Sequence, residues 1–147
     1  MPTLYAAGSA EIDAPPHVVY DLIADYREGH VSILPPIFLG IDVEQGGRGA
    51  GTIATVRTRT MGIRRDFRIE VEEPEPGRVL VETDLATGTA TSFTVDPLDG
   101  GARCRVTIET AYQARGVMGF FERFFIPRVL RGIYAAELRS LAARAKA

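Results

Sequence analysis

The segment from Gly116 to Ala147 constrains the fold most, because it is a long helical pattern closing a chain that reads from Leu39 to Ala114 as short β-strands. That combination predicts a curved sheet gripping a helix around a cavity. Pro127 lies inside the helical pattern, where it deletes a backbone hydrogen bond and crowds the carbonyl of Arg123. Before it the apolar side is Val117, Met118, Phe120, Phe121, Phe124 and Phe125; after it the stripe is Val129, Leu130, Ile133, Tyr134, Leu138 and Leu141. The two stripes are displaced by more than a right angle, which predicts a break or kink at Ile126-Pro127 and a helix running on to about Ala145. Glu137 falls one turn after Ile133 and one turn before Leu141, so a carboxylate points along the apolar stripe.

Leu4 to Asp13 reads as a first strand, stopped by Ala14-Pro15-Pro16. His17 to Tyr26 repeats apolar residues at helical spacing, with Asp13 as its expected cap and the prolines in its first turn. A short second helix is expected between Arg27 and Pro36. Strands follow at Leu39 to Gln45, Thr52 to Thr60, Ile63 to Glu73, Arg78 to Leu85, Thr89 to Leu98 and Ala102 to Ala114, with turns rich in Gly, Pro and Asp between them. In the strand from Ile63, the residues Ile63, Phe67, Ile69 and Val71 share one face with Arg65, against Arg64, Asp66, Arg68, Glu70 and Glu72 on the other. Cys104, Val106, Ile108 and Tyr112 make the apolar face of the last strand. One covered face and one wet face imply a sheet capped on one side only, by the C-terminal helix.

A chain of 147 residues without an internal linker is expected to form one domain, 1–147. Its 17 basic and 19 acidic side chains leave a net charge of −2. That excludes a global field for attracting nucleic acid or anionic lipid. Cys104 stands alone, so no intramolecular disulfide or thiolate metal cluster forms, and a buried small side chain is expected. His17 and His30 are too few for a histidine metal site, and no cofactor signature is present. No apolar run approaches the ~20 residues that span a bilayer, and the beginning of the chain lacks the pattern of a signal peptide, so the expected setting is the cytoplasm.

The motif Glu11-Ile12-Asp13-Ala14-Pro15, leading to Val19-Tyr20-Asp21-Leu22-Ile23-Ala24-Asp25-Tyr26, carries a family resemblance together with the glycine-rich turn before Thr52 and the terminal Ala136-Glu137-Leu138-Arg139-Ser140-Leu141. Over nearly its whole length the chain resembles the START/Bet v1-like (SRPBCC) superfamily, in particular the small bacterial branch of polyketide cyclase/dehydrase and lipid-transport-like proteins. The resemblance implies an α+β helix-grip fold: a seven-stranded antiparallel sheet curved around a long C-terminal helix, with two short helices after the first strand. It also implies an apolar cavity for lipids, polyketides or aromatic compounds. Many relatives carry a tryptophan just after the short helices, where this chain has Ser32-Ile33-Leu34.

Glu137 and Arg65 interrupt apolar faces that should look toward each other. A carboxylate in a dry cavity has a raised pKa unless paired, and a nearby arginine keeps it ionised. The pair reads either as a ligand anchor or general acid/base, or as a helix-edge carboxylate and a rim arginine satisfied separately. His30 precedes the loop that relatives use near the cavity entrance, and Phe67, Tyr112, Tyr134 and Ile133 complete the candidate ligand contacts. Gly46 to Gly51 resembles a phosphate-binding loop only superficially, since a strand follows it where a nucleotide motif requires a helix; the resemblance allows it a cavity-lining role. Spacing assembles no nucleophile, base and orienter, so catalytic residues stay unassigned.

Three functions follow as expectations. The first is binding of a small hydrophobic ligand between sheet and helix, without nucleic acid or stable membrane insertion. The second is a cyclase or dehydratase acting on a polyketide-like substrate. The third is an interaction module using the Phe120-Phe125 patch as a gate, a homodimer contact or a membrane-touching surface.

Overall fold

In the computed structural model, description covers residues 3–113 and 119–146, with the backbone alone for residues 113 and 119–125. The order is β1 (Thr3–Ile12), α1 (Pro16–Ala24), α2 (Gly29–Ile33), β2 (Phe38–Gln45), β3 (Ile53–Thr60), β4 (Ile63–Glu75), β5 (Val79–Asp84), β6 (Ala90–Leu98), β7 (Arg103–Gln113) and α3 (Gly119–Lys146). A single 3-10 turn, Asp99–Gly101, joins β6 to β7. The strands form one antiparallel sheet in the order β1-β7-β6-β5-β4-β3-β2. It is a meander from β2 to β7, with β1 added beside β7, and this is the expected helix-grip arrangement.

The apolar faces of β1, β4, β5, β6 and β7 turn toward α1, α2 and α3. Ile12, Val71, Leu80, Phe93, Val95, Cys104, Val106 and Ile108 pack there with Val19, Ile23, Leu138 and Leu141, all essentially buried. The opposite face stays wet and carries cross-strand ion pairs such as Arg68 Nε to Glu44 Oε2 at 2.7 Å and Arg78 Nε to Asp96 Oδ1 at 2.8 Å. Two inward rows position the site. Leu80, Phe93, Ile108 and Gly8 are successive cross-strand partners, and so are Val71, Glu82, Thr91, Thr110 and Ala6. Gly8 lets α3 come close: a Cβ added there would lie 3.2 Å from Tyr134 Cβ.

Four expectations need correction. α3 runs unbroken through Pro127; the proline removes one donor, but Tyr134, Leu138 and Leu141 pin the following turns into the core. Val129, assigned to the buried stripe, is 57% exposed, so the covered face of α3 is narrower than its apolar residues suggest. Asp13 does not cap α1, whose N-cap is Pro15 without a side-chain bond; it accepts a hydrogen bond from Arg103 Nε instead. β4 continues past Glu73 to Glu75, accommodating Pro74 where its pairing with β5 shifts register. The segment before Gly119 and the side chains of the Phe120–Phe125 patch lie outside the described residues.

Candidate functional site

A cavity of about 590 Å³ opens between the sheet, α2 and α3. Its walls are mainly apolar, with Leu34, Ile41, Val56, Phe93, Leu130 and Ile133 among them. Burial gives it a direction. Arg65, Phe67 and Thr87 are exposed and mark the mouth, whereas His30, Phe93, Thr110 and Glu137 are 2–5% exposed and mark the closed end.

The closed end is built by the turn between α1 and α2. Asp25 accepts hydrogen bonds from the backbone N–H groups of Arg27, Glu28 and Gly29 at 3.1–3.3 Å, and its own carbonyl takes the His30 N–H at 2.7 Å. Burial opposes its ionisation, but those three N–H donors outweigh it and hold the carboxyl below its usual range. Gly29 is required by proximity: a Cβ there would fall 2.5 Å from the Leu22 carbonyl oxygen. The glycine-rich loop supports this turn from outside, with the Tyr26 N–H donating to the Gly47 carbonyl at 2.9 Å and the Gly49 N–H to the Ala24 carbonyl at 3.0 Å. None of Gly46 to Gly51 lines the cavity. The loop is a brace.

His30 projects from α2 with its ring stacked on Tyr26 at 4.5 Å and edge-on to Phe93 at 5.4 Å. Its Nδ1 lies 2.7 Å from the Ile23 carbonyl, which only accepts, so Nδ1 carries a proton. Nε2 faces the cavity, 3.5 Å from Glu82 Oε2 and 3.7 Å from Glu137 Oε1. Glu82 comes from β5 and also accepts a hydrogen bond from the Tyr26 hydroxyl. Tyr134, from α3, is hydrogen-bonded to Thr110, which contacts Thr91 at 2.8 Å.

Desolvation dominates the electrostatics here. Burial, reinforced by the Glu82 carboxylate, pushes Glu137 up to about 8, so it holds its proton at neutral pH. Burial, then the charge and hydrogen bond of Glu82, raises the Tyr26 hydroxyl well above its ordinary range. Tyr134 is pushed up to about 12, again by burial first. Both phenols are therefore neutral donors or acceptors in the physiological range.

All seven residues singled out from sequence line the cavity: Arg65, Phe67, Tyr112, Ile133, Tyr134, Glu137 and His30. The expected pairing of Glu137 with Arg65 is not present. Among the described residues no ion pair joins them, because Arg65 sits at the exposed mouth and Glu137 at the buried end. His30 and Glu82 are the neighbours of Glu137. Sequence reasoning missed Glu82, Tyr26 and the Thr91–Thr110 pair. Glu82 had a signal, since strand alternation puts it on the face of Leu80. Tyr26 had none, because its partner is 56 residues away.

The curved sheet, the gripping helix and the cavity between them make a helix-grip fold of the START/Bet v1 type. The chain belongs to the family described as polyketide cyclase / dehydrase and lipid transport, whose model matches residues 6–146. It is similar to the KanY protein (ms6282), solved in solution by NMR, at 32% identity over 100% of both chains and a TM-score of 0.84. The ZhuI aromatase/cyclase from Streptomyces sp. R1128 is 17% identical over 99% of this chain and 94% of its own, with a TM-score of 0.79. A START superfamily protein from Mycobacterium smegmatis is 13% identical over 97% of each chain, with a TM-score of 0.75. At those two identities the likeness is one of fold. No curated protein matches the sequence. Among the described residues no helix is long and apolar enough to cross a membrane, and no group of His, Cys, Asp and Glu is arranged to hold a metal ion.

Proposed function

We propose that the protein binds a small hydrophobic molecule, of aromatic or polyketide-like type, in the cavity between the sheet and α3. The observation that carries this reading is the cavity itself: about 590 Å³, apolar along its walls, with its polar groups gathered at one buried end. A cavity of this size suits a ligand of a few fused rings or a short acyl chain, and convergent polar groups orient such a ligand. Membership of a family described by polyketide cyclisation and lipid transport agrees with it. Native mass spectrometry of protein purified from its own host should reveal a co-purifying small molecule that is lost on denaturation. Protein that is empty there and binds no hydrophobic probe in solution argues against the reading.

A second reading, cyclase or dehydratase chemistry, is favoured by the cluster of Glu82, His30 and Glu137. In a dehydration, His30 Nε2 or the Glu82 carboxylate takes a proton from carbon, and its electron pair forms the new double bond. The hydroxyl leaves with the Glu137 proton as water, and the proton held by the base returns to Glu137. The residues expected from sequence take separate places: Arg65 and Phe67 at the mouth, Ile133, Tyr112 and Tyr134 along the wall. Replacing His30 or Glu137 should abolish turnover of a cyclisable polyketide analogue while the fold survives; unchanged turnover removes that residue from the chemistry.

A further inference from the structure

We propose that the Glu137 carboxyl is the hydrogen-bond donor of a carbonyl-recognising subsite at the closed end of the cavity, selecting neutral aryl ketones, enones and related carbonyl compounds over carboxylates. The inference deepens the hydrophobic-ligand reading and rests on it.

Glu137 is 5% exposed, yet it lines the cavity. Among the described residues no hydrogen bond reaches its carboxyl. His30 Nε2 stands 3.7 Å from Glu137 Oε1, an approach beyond hydrogen-bonding distance. Glu137 is not among the side chains sealed without a hydrogen bond, of which Arg57 is the case among the described residues, so its carboxyl is open to an atom entering from the cavity.

The groups facing Glu137 decide what kind of atom that is. His30 from α2 approaches it to 3.7 Å, and the Glu82 carboxylate from β5 acts on its charge. Asp84 from β5, Arg65 from β4, Tyr112 from β7 and Tyr134 from α3 line the same cavity, and Tyr26 stands behind His30. The Tyr26 hydroxyl is committed to Glu82, and that of Tyr134 is engaged with Thr110. Among the described residues the lining holds one arginine, Arg65 at the mouth, so a ligand carboxylate at the closed end meets two acidic side chains and no permanent cation from them. Glu137 retains its proton at neutral pH because burial and Glu82 both disfavour its charge. It therefore offers one O–H that makes no hydrogen bond among the described residues, and a carbonyl oxygen is the complement.

The test compares α-tetralone, its deoxygenated counterpart tetralin, and naphthoate as probes of the intact protein, titrated by NMR at about pH 6.5 and about pH 9.5. Wild type should prefer tetralone over tetralin by about tenfold at the lower pH and lose the preference at the higher. Glu137→Gln keeps a donor that does not titrate, so its preference should persist at both pH values. Glu137→Leu should show no preference between tetralone and tetralin at either pH. The proposal is overturned by a wild-type preference that ignores pH, by a Leu variant that retains it, or by naphthoate binding as tightly as tetralone. Equal binding of tetralone and tetralin at the lower pH removes the carbonyl subsite alone. Failure of both to bind removes the hydrophobic-ligand reading with it.

Discussion

Tyr134 of α3 rests on Gly8 of β1, so closely that a Cβ on residue 8 would stand 3.2 Å from the Tyr134 Cβ. The helix is seated against the sheet at this point, and the Tyr134 hydroxyl fastens to Thr110 on the next strand. Gly8→Val should lift α3, destabilise the protein by roughly 1–3 kcal/mol and break the Tyr134–Thr110 bond. Urea unfolding measures the first effect. A variant with an unchanged midpoint would mean the helix shifts freely, against this seating.

Glu137 makes stability depend on pH with a defined sign. Its ordinary value of 4.5 rises to about 8 in the fold. Below the ordinary value both folded and unfolded chains hold the proton, and the group is neutral in effect. Between the two values the folded chain binds more protons than the unfolded one, so stability falls as pH rises. Above the folded value the loss is complete, on the order of a few kcal/mol. Unfolding free energies between about pH 5 and about pH 9 should decline more steeply for wild type than for Glu137→Gln. Parallel slopes would remove Glu137 as the cause.

Tyr26→Phe takes from Glu82 its hydroxyl donor while leaving the ring stacked on His30. A loss of ~1–3 kcal/mol is expected, because Glu82 is only 17% exposed and loses a hydrogen-bond donor that little solvent can replace. Chemical denaturation gives the loss, and the His30 ring resonances should shift in the NMR spectrum. An unshifted His30 would show that Tyr26 and His30 are not coupled.

Gly29→Ala drives a methyl to within 2.5 Å of the Leu22 carbonyl oxygen. Backbone on both sides leaves α2 to move, and His30 with it. Hydrophobic probes should bind more weakly while the sheet keeps its circular dichroism signature; wild-type affinity would place the closed end elsewhere than on α2.

Much of the fold was legible because strand alternation and glycine-rich turns act locally. Cys104, Val106 and Ile108 announced the covered face of β7, and all are buried. Glu137 was legible as a polar interruption of an apolar stripe. Depth was not. Arg65 and Ile69 share a face of β4, yet Ile69 is 6% exposed and Ile63, farther out, 60%, because the β3–β4 hairpin reaches beyond the covering helix. Periodicity reports which side a residue takes and says nothing of how far along the strand the cover extends. The same gap produced the expected Arg65–Glu137 pair. Pro127 failed as a breaker for a related reason: local backbone chemistry lost to packing many residues away.

The short α2 helix, hung on Asp25 and braced by the glycine loop, has a consequence for the range of molecules admitted. The walls of the cavity belong to the sheet and α3, and its base is completed by a five-residue helix with anchors of its own. A base held separately from its walls acts as an adjustable stop. Substitutions around Asp25 and Gly29 can lengthen or shorten the chamber while its cross-section stays fixed, so the length and the width of the chamber are set by different parts of the chain.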